Sequence, residues 1–157
     1  MSVQGKSIIV TGGASGMGRA CALLLAREGA KVAVVDRDAA GAGKVCGEIA
    51  QQGGNAIDIA CDVADSKQVS DLVERTVRAF GAIDVLMHGA GICPRKPILE
   101  MTDAEWREVL AVNLDGTFFI TRDVGRVMAQ QRSGTMILIT SDRGVHGSID
   151  YAHYAAS

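Results

Sequence analysis

Two groups of residues in this chain are equipped for chemistry. Ser141 and Tyr154 lie 13 positions apart near its end, and a glycine cluster, Thr11-Gly12-Gly13-Ala14-Ser15-Gly16-Met17-Gly18, lies near its start. A serine hydroxyl and a phenol converging on one spot suit a carbonyl or alcohol. The serine holds the oxygen while the tyrosine exchanges the proton. On spacing alone, ordinary rim or core hydroxyls are the simpler account of both residues. The glycine cluster carries more information. It follows the apolar run Ile8-Ile9-Val10 and opens a segment with helical periodicity.

A strand, a glycine-rich turn and a helix start in that order form a pocket for a phosphate-bearing ligand. Glycines reach positive φ and let backbone come close to the ligand. The first helical N–H groups then point unpaired at a diphosphate, with the positive end of the helix dipole behind them. Gly12, Gly16 and Gly18 are spaced G-x-x-x-G-x-G rather than the familiar G-x-G-x-x-G. Gly12, Ser15, Gly16, Met17 and Gly18 are the candidate contacts. Taken alone, these residues also fit an ordinary strand-to-helix turn.

Asp36 lies 18 positions after Gly18, at the end of a second apolar run. There a carboxylate accepts hydrogen bonds from an adenosine ribose and repels a 2′-phosphate. Arg37 is the opposing signal, since an arginine can receive that phosphate. Ser15 stands where a basic residue would help it, so NAD is favoured over NADP. Asp62-Val63 and His88-Gly89-Ala90-Gly91 follow the third and fourth apolar runs. Both fall on the carboxyl rim, where open α/β sheets bind ligands.

The elements that must carry these residues alternate regularly. Gly16 to Glu28 has helical periodicity and ends at Gly29. Lys31–Asp36 reads as a buried strand, residues 39–52 as a helix stopped by Gly53-Gly54, and residues 56–61 as a third strand. Asp65 or Ser66 caps a helix to about Phe80, and Ile83 to Met87 is a fourth strand. Thr102-Asp103-Ala104-Glu105 is a capping box that starts a long helix to about Gln131, with Gly116 as its weak point. Met136 to Ile139 is a fifth strand, Asp142 to Asp150 a loop, and Tyr151 to Ser157 the start of a helix. This β-α order predicts an α/β fold of parallel strands and right-handed crossovers, in one domain over residues 1–157.

Composition narrows the function class. Charged residues interrupt every apolar run well before the ~18 that a membrane span needs. The first seven residues are polar, so no secretory leader is expected. Net charge is −2 with no basic tract, which argues against nucleic acid and anionic membranes as partners. Cys21, Cys46, Cys61 and Cys93 are scattered, with no C-x-x-C pair, so neither a metal site nor a disulfide framework is expected. Free thiols fit the cytoplasm.

Read together, these residues resemble the short-chain dehydrogenase/reductase family, from Lys6 to Ser157. The markers are T-G-x-x-x-G-x-G at Thr11 to Gly18, Asp36, Asp62-Val63, an N-N-A-G-like stretch at His88 to Gly91, Asn113, Ser141 and Tyr154. The resemblance implies a doubly wound Rossmann-type parallel sheet in the order 3-2-1-4-5, three layers α/β/α, with the C-terminal part of the family fold missing. It implies Tyr154 as acid/base, Ser141 orienting the substrate oxygen, and Asn113 kinking its helix and holding a water in a proton relay. Gly12, Gly16 and Gly18 would line the diphosphate, Asp36 the adenine ribose, Asp62 and Val63 the adenine ring. Ala90 and Gly91 would pack beside the cofactor, with Ile92 near its nicotinamide end. The reaction would be reversible hydride transfer between NAD(H) and a secondary alcohol or ketone.

The sequence departs from the family pattern twice. His88 stands where the family usually has Asn. The family's Y-x-x-x-K motif places a Lys one residue beyond Ser157, where it binds the nicotinamide ribose and lowers the phenol's pKa. The 157-residue chain is therefore expected to be a fragment that does not turn over unaided. A non-catalytic NAD(H)-binding module and an NADP-dependent reductase are the alternatives. Arg95, Asp142, Arg143, His146, Tyr151 and His153 could face substrate, though each is more often a solvated loop residue, and as polar groups they lean weakly towards a polyol or sugar-like alcohol over a steroid. A homo-oligomer, dimer or tetramer, is expected, with the helix from Thr102 to Gln131 a contact surface through Val109, Leu110, Val112, Phe118, Val124 and Val127, although core packing explains most of those residues equally well.

Overall fold

The computed structural model describes residues 2–157. Five parallel strands form one sheet in the order β3-β2-β1-β4-β5. They are β1 (Ser7–Thr11), β2 (Lys31–Asp36), β3 (Asn55–Ala60), β4 (Val85–His88) and β5 (Thr135–Leu138). The chain crosses over through α1 (Gly16–Arg27), α2 (Ala39–Gln51), α3 (Ser66–Phe80) and the long region of α4 (Asp103–Leu110) and α5 (Gly116–Gln131), as strictly parallel pairing requires. β1 is buried at all five positions because it has neighbours on both edges and helices on both faces.

Alternation along the strands divides the core into two layers. Ile8, Val10, Val32 and Val34 face α1 and α2, packing on Ala22, Ala26, Ala42, Val45 and Ile49. Ile9, Ala33, Val35 and Ile59 face the other way, onto Leu72 and Val73 of α3 and Ile120 and Val124 of α5. The three-layer α/β/α arrangement and strand order implied by the resemblance are both present. β5 is an edge strand, with Ile137, Leu138 and the following Ile139 exposed.

Helix starts follow local chemistry. Asp38 accepts from the Gly41 amide, Asp65 from the Lys67 and Gln68 amides, and Thr102 and Glu105 form a reciprocal capping box. Gly81, at φ +85, ends α3 in the left-handed conformation. Strand and helix ends otherwise lie within two residues of those expected from sequence.

The long helical region differs more. It consists of α4 (Asp103–Leu110), a π-helical turn (Ala111–Asp115) and α5 (Gly116–Gln131). Gly116 itself is helical, at φ −59, so it is not the weak point. Its lack of a side chain serves packing: a Cβ there would lie 2.9 Å from Val63 Cγ2. The irregular turn centres on Asn113 instead. The stretch between β5 and the last helix, α7 (Ala152–Ala156), also contains a short helical turn, α6 (Arg143–His146). Among the described residues no helix is long and apolar enough to cross a membrane.

Candidate functional site

Two adjoining cavities lie on the carboxyl rim. The first, about 330 Å³, opens between the β1–α1 turn, the end of β2 and the β4 loop. Its backbone is shaped by glycine. Gly12 adopts φ +68 and Gly16 φ +51. A Cβ at Gly18 would lie 2.0 Å from the Gly12 carbonyl oxygen, so the helix starts hard against the turn. A Cβ at Gly16 meets no protein atom within 4 Å and would stand in open space. Ser15 precedes α1 in extended conformation, and its hydroxyl caps nothing. The first-turn amides of α1 have no intrahelical acceptor and keep their donors free.

Asp36, the last residue of β2, stands beside the turn. Its two carboxylate oxygens accept from the Ala14 amide at 3.0 Å and the Asp38 amide at 3.0 Å, which fixes it beside the glycine turn. Arg37 is exposed and lines the same cavity. Asp62 bends the chain through a bond from the Ala64 amide, and Val63 is buried beneath. Every anticipated cofactor residue lines this cavity except His88. Sequence reasoning missed Val35, Cys61 and Val112 on its wall. Cys61 is a core residue, its thiol pushed up to about 12 by burial and nearby carboxylates.

His88 lies beneath the loop rather than on the first cavity's wall, only 3% exposed. Its neighbours determine its tautomer. Thr117 Oγ1 spends its proton on the Asn113 carbonyl at 2.6 Å, so it accepts from His88 Nε2 at 3.1 Å. His88 Nδ1 is then the acceptor for Thr11 Oγ1 at 2.7 Å. Thr11 Oγ1 in turn accepts from the Gly89 and Ala90 amides, both at 3.2 Å. Burial holds the imidazole neutral and pushes its pKa down to about 4.

The second cavity, about 420 Å³, shares Met17 and Gly89–Ile92 with the first. It brings together Ser141, Tyr154 and Asn113. Ser141 Oγ accepts from the Arg143 amide at 3.3 Å in a local turn. Asn113 acts first on backbone. Its Oδ1 accepts from the Ile92 amide at 2.9 Å, while its Nδ2 donates to the Ile92 carbonyl at 3.0 Å and to Ser157 Oγ at 3.0 Å. The side chain that breaks the helix register thus pins the loop shared by both cavities.

The polar residues expected to meet substrate are elsewhere. Arg95, Asp142, Arg143, His146, Tyr151 and His153 do not line the second cavity. Arg95 pairs with Asp150 at 2.9 Å, and the guanidinium of Arg143 stacks 4.0 Å over the Tyr151 ring. His153 is fully buried, with Nδ1 accepting from the Tyr154 amide at 3.0 Å. Leu114, Leu138 and Ile139 line the cavity in their place.

The first cavity therefore fits a dinucleotide diphosphate, with free amides and glycine backbone beside a fixed carboxylate. Comparison with known proteins agrees. Residues 6–157 match the family model described as short chain dehydrogenase. The chain is 35% identical over 157 residues to a 3-oxoacyl-(acyl-carrier-protein) reductase of Thermotoga maritima, covering 100% of this chain and 64% of that protein. It is 38% identical over 154 residues to an L-rhamnose 1-dehydrogenase (NAD(P)(+)) of Azotobacter vinelandii, covering 95% of this chain and 60% of the relative. Among solved structures, a 7α-hydroxysteroid dehydrogenase complexed with NADH and 7-oxo glycochenodeoxycholic acid superposes with a TM-score of 0.95. It is 31% identical, with 99% of this chain and 61% of that one covered. The chain thus spans somewhat under two thirds of the length of these relatives. By the match of its own residues from the glycine turn to the Tyr154 helix, the chain belongs to the short chain dehydrogenase family.

Proposed function

We propose that this chain carries the cofactor-binding half and the acid/base residues of an NAD-dependent oxidoreductase acting on a secondary alcohol or ketone. The observation that carries this reading is the shared wall of the two cavities. Met17 and Gly89–Ile92 line both, so a dinucleotide held in the first would have its hydride-transferring end towards the second, which Ser141 and Tyr154 line. The nicotinamide supplies a hydride acceptor or donor when bound. Gly12, Gly16 and the first-turn amides hold the diphosphate, and Asp36 takes the ribose. Asn113 fixes the Ile92 loop that sets the depth of the ring. Ser141 orients the substrate oxygen, and Tyr154 takes the proton from an alcohol or gives it to a carbonyl.

Asp36 favours NAD, because its carboxylate is held where a 2′-phosphate would come close and like charges in proximity repel. A cytoplasmic setting agrees with four unpaired thiols. Assembly into a dimer or tetramer uses the α4–α5 face, where Leu114 and Phe118 are exposed.

Fluorescence titration with NADH and NADPH, joined to a turnover assay over polyols, sugars, hydroxysteroids and 3-oxoacyl thioesters, tests the reading. Protein carrying this sequence is expected to bind NADH at least tenfold more tightly than NADPH, and Asp36→Ala to narrow that ratio. A tighter NADPH complex would move the assignment to Arg37 and NADP. Binding without turnover by protein that extends beyond Ser157 would leave a non-catalytic module. No binding of either would remove the reading altogether.

A further inference from the structure

The family resemblance leaves His88 unexplained, and it lines the second cavity but not the first. It adds a second tie between two regions that the Asn113–Ile92 bonds also join. One is the Gly89–Ala90 loop, whose amides both donate to Thr11 Oγ1. The other is the π-helical turn, whose Asn113 carbonyl accepts from Thr117 Oγ1. The imidazole is the only link between these threonine hydroxyls among the described hydrogen bonds, with one nitrogen on each. The two nitrogens of a neutral ring have opposite roles, one donor and one acceptor. Here every role is fixed by the next: amide to Thr11, Thr11 to Nδ1, Nε2 to Thr117, Thr117 to the Asn113 carbonyl.

We propose that His88 is a positioning residue whose imidazole, bonded to Thr11 on one side and Thr117 on the other, holds the Gly89–Ala90 loop and the Asn113 turn in one fixed relation. The proposal rests on the dinucleotide reading only for its consequence. Setting the loop that meets the cofactor also sets the turn that carries Asn113 and, through it, Ile92.

Shorter and longer amides separate the two ends of the link. In His88→Asn the side chain reaches Thr11 in place of Nδ1 but falls short of Thr117. In His88→Gln the amide reaches the Nε2 position and leaves Thr11. The Asn variant is expected to raise amide hydrogen exchange over residues 113–117 about tenfold or more while leaving NADH affinity within a few-fold. The Gln variant is expected to weaken NADH about tenfold, with the smaller effect on exchange. Long-range 1H–15N correlation on the unsubstituted protein reads the ring directly and needs no variant to fold. It is expected to show a neutral ring protonated on Nε2. A ring protonated on Nδ1, or Asn and Gln variants that disturb both ends alike, would overturn the proposal. Should NADH fail to bind the unsubstituted protein while the ring tautomer and exchange pattern hold, the dinucleotide reading fails and the link stands.

Discussion

Glycine positions in the β1–α1 turn act in two distinct ways. Gly18 is demanded by contact, since an added Cβ would lie 2.0 Å from the Gly12 carbonyl oxygen. Gly16 is demanded by conformation, at φ +51 with open space beyond. Gly18→Ala is therefore expected to displace backbone and destabilise by about 1–3 kcal/mol. Gly16→Ala costs about 1 kcal/mol of left-handed strain. Urea unfolding of both variants reads the difference, and equal losses would contradict it. His88 adds a pH dependence. Its pKa is about 4 in the fold against 6.5 as the ordinary value, so between those limits the unfolded chain binds a proton that the folded chain does not. Stability from the neutral imidazole is complete above pH ~6.5 and lost as pH falls towards ~4, by at most about 3 kcal/mol. Replacing His88 with Asn should flatten that part of the acid limb, measured by urea midpoints at pH 7 and 4.5.

Among elements, the π turn and the α6–α7 connection carry the site. Asn113 occupies both backbone polar groups of Ile92, so Asn113→Ala is expected to loosen the Gly91–Cys93 loop and weaken NADH about tenfold, readable by titration. The α6–α7 connection is clasped to the loop after β4. Arg95 Nε donates to Asp150 at 3.0 Å, and the Lys96 amide donates to the Asp150 carbonyl at 2.8 Å. Asp150 holds φ +65, unusual for a residue with a Cβ. Because Arg95 is exposed, the ion pair contributes less than about 1 kcal/mol. Asp150→Ala loses the pair and keeps the strain, whereas Asp150→Gly loses the pair and relieves it. The glycine variant is expected to be the more stable of the two by roughly 1 kcal/mol in thermal unfolding.

Over the whole molecule, exposed apolar surface is uneven. Leu114 and Phe118 lie together on the α4–α5 face, at 48% and 57% exposure, and Arg122 stacks 5.3 Å from the Phe118 ring. For Val109 and Val124, weighed with Phe118 between assembly and core packing, the core holds: both are buried in this chain's own packing. Phe118→Asp is therefore expected to lower the oligomeric mass in light scattering, while Val124→Ala destabilises the fold by about 1–3 kcal/mol without selective dissociation. An unsubstituted protein that runs as a monomer would remove the assembly proposal.

The fold was legible because its signals are local. Apolar runs of strand length, caps at Asp65 and Thr102, and glycine stops each report on a few neighbouring residues, and their alternation implies parallel strands with crossovers, whereas the strand order came only with the family resemblance. The glycine turn was legible for the same reason, and Asp36 because the β1-α1-β2 unit pairs the two strands in parallel, with Thr11 opposite Val35. Gly116 was misread because a glycine in a helix looks like a flaw until Val63, 53 positions earlier, is packed against it. The possible substrate contacts depend on packing in the same way: sequence shows that Arg95 and Arg143 are charged, but only the folded chain shows Asp150 and Tyr151 holding them. His88 is the clearest case. Its identity was visible as a departure from pattern, yet its tautomer and its two bonds depend on Thr11 and Thr117, which meet only when β1, β4 and α5 pack. Local propensity decided the elements, and long-range packing decided which side chains face the cavities.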